Sequence, residues 1–251
     1  MTRWPPFFFS VICYALFNAV FLYLAAFLLE VGVAKTINSG EVGHWAPSLA
    51  INLGLIGLFG ATHSLMARDW FKRLLIRIAP QVVERSIYVL QSSIFLAIAM
   101  LHWRAMPQVI WHVDGVGAWL FYAAFALGTF LLLWSTFLID HFELFGVRQT
   151  WAHLRGEPMP EPEFRTPALY RIVRHPMQLG VAIMFLATPH MTVGHLLFAG
   201  AMIAYILVGL YFEERALVRL FGDQYRAYQA RVPMLIPGLR APRPAAASRV
   251  G

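Results

Sequence analysis

Hydrophobic and polar positions divide this chain into long apolar runs separated by short polar or basic segments. The runs cover Phe7–Leu29, Leu49–Leu65, Ile87–Leu101, Trp119–Ile139, Met177–Ala187 and Leu196–Phe212. A helix crosses the hydrocarbon core of a bilayer with about 20 predominantly apolar residues, and a helix that is apolar on every side reads as buried in lipid or protein. The first and fourth runs reach that length without a charged residue. The third is completed by its polar flanks. The fifth ends after eleven residues at Thr188-Pro189 and reads as half of a hairpin with the sixth, joined through residues 188–194. The pattern therefore predicts an all-α, polytopic integral membrane helix bundle of about six spans. The first run is too long for a signal-peptide core and no small-x-small cleavage site follows it, so it is expected to remain as a span.

Composition supports the bilayer as solvent. Of 251 residues, 59% are hydrophobic and 13% charged, where soluble domains carry roughly a quarter charged residues. The net charge of +7 raises the question of nucleic acid. The basic residues, however, fall in the segments between apolar runs and lack the aromatic interleaving of a nucleic-acid surface, so no nucleic-acid partner is expected. Eighteen of the twenty Lys and Arg lie at the N-terminus, between runs two and three, between runs four and five, and after run six; Lys35 and Arg104 lie in the alternate segments. By the positive-inside rule the first group is cytoplasmic and both termini are inside. The lone cysteine, Cys13, excludes an intrachain disulfide and any Cys-x-x-Cys redox or metal site. Residues 238–251 have almost nothing to bury and are expected to be a disordered tail.

Polar groups cluster at the cytoplasmic ends of the runs: His63, then Asp140-His141-Phe142-Glu143, then Arg174-His175-Pro176, then Glu213-Glu214-Arg215. In Tyr170-Arg-Ile-Val-Arg-His-Pro-Met-Gln178-Leu-Gly180, Pro176 suits the first turn of a helix, whose free amides and positive dipole end favour an anion. Arg174 and His175 add donors for a carboxylate, and Gly180 admits a ligand or another backbone at close range. The plainer reading is a topology anchor with proline as helix initiator. Glu213 and Glu214 point ~100° apart on a helix. Either one meets a ligand's ammonium or ribose hydroxyls while the other pairs with arginine, or both pair with arginines at headgroup level.

Arg174-His-Pro…Gly180, then Glu213-Glu214-Arg-Ala-Leu217, then Phe221-Gly-Asp-Gln-Tyr225-Arg-Ala-Tyr228…Val232-Pro233 resemble the C-terminal signature of the isoprenylcysteine carboxyl methyltransferase and phospholipid methyltransferase superfamily. The family pattern carries tyrosine where this chain has Gln178. Upstream, His63-Ser-Leu-Met-Ala-Arg68, Glu84-Arg-Ser-Ile-Tyr-Val-Leu90, Ser135–Gly146 and Thr188–Phe198 resemble the bacterial methanethiol S-methyltransferase branch, which is related to nurim. The resemblance implies one membrane methyltransferase domain over residues 1–237, with the cofactor half at about 165–237. It implies methyl transfer from S-adenosylmethionine to a small thiol, methanethiol, giving dimethyl sulfide in the bacterial inner membrane. Tyr170, Arg174, His175, Pro176, Gln178, Gly180, Glu213 and Glu214 are then the expected donor-binding residues.

The nucleophile in such a transfer is the thiolate, and a base assists a thiol that is protonated at neutral pH. His141 and Asp140, assisted by His63, are the candidates, with Asp140 alternatively orienting His63 from across the bundle. Trp134, Phe137 and Phe142 are expected to shape a small acceptor pocket. Glu84, Arg85 and Tyr88 read as interface anchors or as supports of that site. Metal or haem is disfavoured because no two histidines lie four apart on one helix and His141 and Glu143 diverge by ~200°. A non-catalytic nurim-like membrane protein, or the same chemistry on another thiol or a lipid, are the rivals; no required protein partner is evident.

Overall fold

The computed structural model describes residues 3–159 and 163–239. The expected tail lies outside the described residues from position 240 onward. Long helices form where the apolar runs were: α1 (Trp4–Leu29), α2 (Trp45–Met66), α4 (Glu84–Leu101), α5 (Val116–Ile139) and α9 (Val193–Phe221), with α3 (Asp69–Leu75) between the second and third. Among the described residues, five helices are long and apolar enough to cross a membrane. The fifth apolar run forms α8 (Pro176–Leu186), whose eleven residues span about 16 Å, roughly half of a bilayer core. Short helices α6 (His141–Leu144), α7 (Val147–Arg155) and α10 (Asp223–Arg231) complete the helical set.

The hairpin expected after α8 contains a strand, β2 (His190–Thr192), which pairs antiparallel with β1 (Val109–His112). This small sheet was not foreseen, because three or four residues show no usable periodicity and the partners are some eighty positions apart. It fixes one end of the bundle. There the C-terminal ends of α1, α4 and α8 meet the N-terminal ends of α2, α5 and α9: Asn52 exchanges two hydrogen bonds with the Arg104 backbone at 2.8 and 2.9 Å, and Trp111 donates to the Thr188 carbonyl at 3.0 Å. At the other end, Ser10 on α1 meets Thr150 on α7 and Arg85 on α4 donates to the Leu144 carbonyl.

Helix neighbours run in a ring: α1 against α4, α4 against α2, α2 against α9, α9 against α8, α8 against α5, and α7 back onto α1. The apolar core, with Leu24, Phe27, Phe59, Met100, Trp103, Phe125, Phe185 and Phe198, fills the half nearer the β1–β2 sheet. Outward faces carry large apolar side chains such as Trp119, Leu120, Phe130 and Val208, which a lipid solvent accommodates.

Gly180 and Gly128 make the α5–α8 crossing. A Cβ on Gly180 would lie 2.5 Å from the Gly128 carbonyl oxygen and 2.6 Å from the Leu132 nitrogen. Of the two partners that sequence allowed Gly180, the structure supplies a backbone. Gly180→Ala and Gly128→Ala are expected to lower stability by about 1–3 kcal/mol through forced separation of the two helices. Gly200→Ala, where nothing lies within 4 Å, serves as the neutral control; thermal unfolding in detergent checks the contrast.

Candidate active site

The polar residues gather at the end of the bundle opposite the sheet, and one carboxylate organises them. Glu214, on α9, is 9% exposed. Arg174 approaches it in a bidentate fork, Nε to Oε1 at 2.8 Å and Nη2 to Oε2 at 2.9 Å. His175 Nε2 reaches Oε1 at 2.7 Å and the Tyr225 hydroxyl donates to it at 2.8 Å. Gln229 donates to Oε2. A buried charge is tolerable only when paired and fully hydrogen-bonded, and this one is.

Local sequence explains why the partners converge. Pro176 starts α8, leaving Arg174 and His175 outside the helix just before it; their amides donate to the carbonyls of Pro233 and Met234 at 2.9 and 3.1 Å. Arg174 Nη1 also donates to the carbonyls of Gln229 and Val232. On α10, Tyr225, Tyr228 and Gln229 share a face by their i, i+3, i+4 spacing. Tyr228 donates to the Tyr170 carbonyl at 2.5 Å, and Tyr170 in turn to that of Ser135. Burial pushes the Tyr228 phenol up to about 12. Burial, and then the carboxylate beside it, raises Tyr225 as well. Both therefore remain donors across the physiological range.

Glu213 differs from its neighbour. It is exposed and has no hydrogen bond or ion pair among the described residues. The charges of His175, Glu214 and Arg85 act on it, and its own charge acts on Tyr88 and Tyr170. Its charge thus reaches both the Glu214 cluster and the Arg85–Tyr88 end of α4. Beside Glu214, a cleft of about 780 Å³ runs along α9, between Leu207, Tyr211, Val218 and Met234, within the size range of small-molecule sites. Gln178 is half-buried on α8 without a side-chain hydrogen bond among the described residues.

The three expected acid–base residues are not brought together. Asp140 caps α6 by accepting from the Glu143 amide at 3.0 Å and pairs with Arg148. His141 has both ring nitrogens engaged, by the Tyr14 hydroxyl and by Thr136 Oγ1, each at 2.7 Å, and its ring stacks on Phe137. Burial lowers its basicity, so it is neutral at physiological pH. His63 sits elsewhere, on α2 against α4, bonded to Tyr88 and Ser92. Trp134, Phe137 and Phe142 do not enclose the expected acceptor pocket; they are 39%, 60% and 49% exposed on the outer surface. A helical wheel places Phe130, Trp134 and Phe137 on a stripe opposite Gly128 and Ser135 of α5, which would have indicated this outward face. Among the described residues no group of His, Cys, Asp and Glu is placed to hold a metal ion.

Comparison with known proteins now decides the family. The family model described as NnrU protein matches residues 51–241. The chain belongs to the NnrU family. This NnrU chain is 44% identical over 250 residues to methanethiol S-methyltransferase 2 of Bradyrhizobium diazoefficiens, covering 96% of each chain. It is 44% identical to the methanethiol S-methyltransferase of Mycobacterium tuberculosis, over 94% of this chain and 98% of that one. A nurim homolog of Drosophila pseudoobscura pseudoobscura is 32% identical over 65% of this chain and 67% of its own. No solved structure matches.

The two glutamates predict opposite outcomes in this NnrU protein. Glu214→Gln leaves the buried Arg174 guanidinium without its counter-charge and is expected to cost about 3–5 kcal/mol. Glu213→Gln is expected to leave the unfolding temperature of the purified protein unchanged.

Proposed function

We propose that this protein is an S-adenosylmethionine-dependent methanethiol S-methyltransferase, forming dimethyl sulfide at the cytoplasmic side of a bacterial inner membrane. The observation that carries the reading is the 44% identity, over nearly the whole chain, to a protein named for that activity. The geometry supports it. Donor and acceptor both need a site at one end of the bundle, and the polar residues gather there. The lone cysteine, Cys13, is buried, so the sulfur that is methylated comes with the substrate.

The donor's sulfonium supplies an activated methyl group. The protein's share is alignment and exclusion of water. Glu214 holds Arg174 and His175 as a rigid wall, with Tyr170, Pro176, Gln178 and Gly180 fixing α8 and its approach. Glu213 is the uncommitted carboxylate and meets the donor's cationic groups. The cleft along α9 offers an apolar bed, from Leu207 to Met234, for the adenosine.

Detergent-solubilised protein given methanethiol and methyl-deuterated S-adenosylmethionine is expected to release labelled dimethyl sulfide into the headspace, read by mass spectrometry. Label recovered instead in a lipid or a prenylated thiol contradicts the small-thiol reading. Glu213→Gln is expected to weaken donor binding by about tenfold, worth ~1.4 kcal/mol, as measured by calorimetry.

A further inference from the structure

We propose that Tyr88 is a catalytic residue, removing the proton from the thiol and passing it to His63. This rests on the methanethiol reading above and adds the base that the reaction needs. Neither Asp140 nor His141 is free to act: one caps a helix and pairs with Arg148, and the other is closed on both ring nitrogens.

One arrangement satisfies all three hydrogen bonds around a neutral His63 at once. Ser92 Oγ donates to the Tyr88 carbonyl at 2.8 Å. A hydroxyl has one hydrogen, so toward His63 Nδ1, 2.8 Å away, Ser92 accepts. His63 therefore carries its proton on Nδ1 and presents a lone pair at Nε2. The Tyr88 hydroxyl lies 2.5 Å from that nitrogen and must donate to it. Its oxygen keeps lone pairs for an incoming donor. The chain thus reads Tyr88 O–H to His63 Nε2, then His63 Nδ1–H to Ser92, then Ser92 O–H to the backbone. It is a one-way path ending on a fixed carbonyl.

Its surroundings are aromatic. The rings of Phe59 and Tyr205 lie 5.4 and 6.1 Å from that of His63. Tyr205 is tied to Ser64 at 3.0 Å, and a Cβ on Gly60 would meet its ring at 3.0 Å. Helices α2, α4 and α9 so converge tightly here, yet His63 and Tyr88 are only half-buried. The groups facing Tyr88 are Glu84 and Arg85 on its own helix, His63 on α2, and Tyr205 and Glu213 on α9. The Glu213 charge acts on both His175 and Tyr88, so this carboxylate is the electrostatic link between the Glu214 cluster and the relay.

In the reaction, the thiol S–H proton moves to the Tyr88 oxygen as the Tyr88 proton moves to His63 Nε2. A sulfur lone pair forms the new S–C bond to the donor methyl. The old C–S bond breaks and its electron pair stays on the donor sulfur. The positive charge passes from the sulfonium to the His63 imidazolium, which later releases its proton to water.

Tyr88→Phe keeps the ring and removes the relay. With methanethiol at neutral pH its kcat is expected to fall about 100-fold, with donor affinity by calorimetry unchanged and with a rate that climbs about tenfold per pH unit as solvent takes over thiol ionisation. With 2,2,2-trifluoroethanethiol, a small thiol acidified by its fluorines, the deficit is expected to shrink to about threefold, because base assistance matters least for an already ionised nucleophile. His63→Gln is expected to follow the same pattern. If either variant proves unstable, Ser92→Ala, which only loosens the imidazole, should show a smaller loss with the same dependence on thiol acidity. An equal deficit with both thiols would mark a structural clamp and overturn the relay, as would wild-type turnover of methanethiol by Tyr88→Phe. Absence of labelled dimethyl sulfide from the wild-type protein contradicts the function reading instead.

Discussion

The Glu214 carboxylate, taking hydrogen bonds from Arg174, His175, Tyr225 and Gln229, is the interaction on which the functional end of the molecule depends. Placing an ionised group within a membrane bundle costs a few kcal/mol even by permissive scales, and it is stable here because every lone pair finds a donor. The same arginine holds the carbonyls of residues 229 and 232. One buried ion pair therefore ties together α8, α9, α10 and the segment that follows.

That arrangement divides the bundle in two. The half nearer the β1–β2 sheet is filled mainly by aromatic and aliphatic side chains, with side-chain hydrogen bonds such as those of Asn52 at its end. The opposite half is built from charge and hydrogen bonds. The short α8 belongs to this division: it is about 16 Å of helix, and Arg174 and His175 before its start lie buried in a recess of the bundle, where water competes less and fixed donors are worth more. The close α5–α8 crossing at Gly128 and Gly180 holds that recess at a fixed depth. With Glu214 committed to structure, Glu213 is the carboxylate that the proposed function assigns to a ligand. On that proposal, the division of labour between two adjacent glutamates turns a stable polar core into a site.

Much of this was legible in the chain itself. Apolar runs located the long helices, and the clustering of Arg174-His-Pro with Glu213-Glu214 at run ends located the polar cluster around Glu214, because both signals are local in sequence. A helical wheel separated the two glutamates by about 100° yet gave no means of telling which one faces arginine. That depends on α10, whose Tyr225 and Gln229 approach from a helix too polar to register as part of the bundle. His141 and Asp140 stood as candidate bases because they lie at the end of the fourth apolar run. Their partners Tyr14, Thr136 and Arg148 sit on other elements, and only tertiary contact shows both groups to be occupied. Tyr88 read as an interface anchor for the same reason, since its link to His63 spans twenty-five positions.

The most direct measurement is an experimental structure of the protein bound to S-adenosylhomocysteine, the demethylated donor. The account predicts that Glu214 keeps Arg174, His175, Tyr225 and Gln229, that Glu213 touches the ligand's ammonium, and that the ligand sulfur faces the Tyr88 hydroxyl. A ligand that displaces Arg174 from Glu214, or that binds at the β1–β2 end of the bundle, would contradict it.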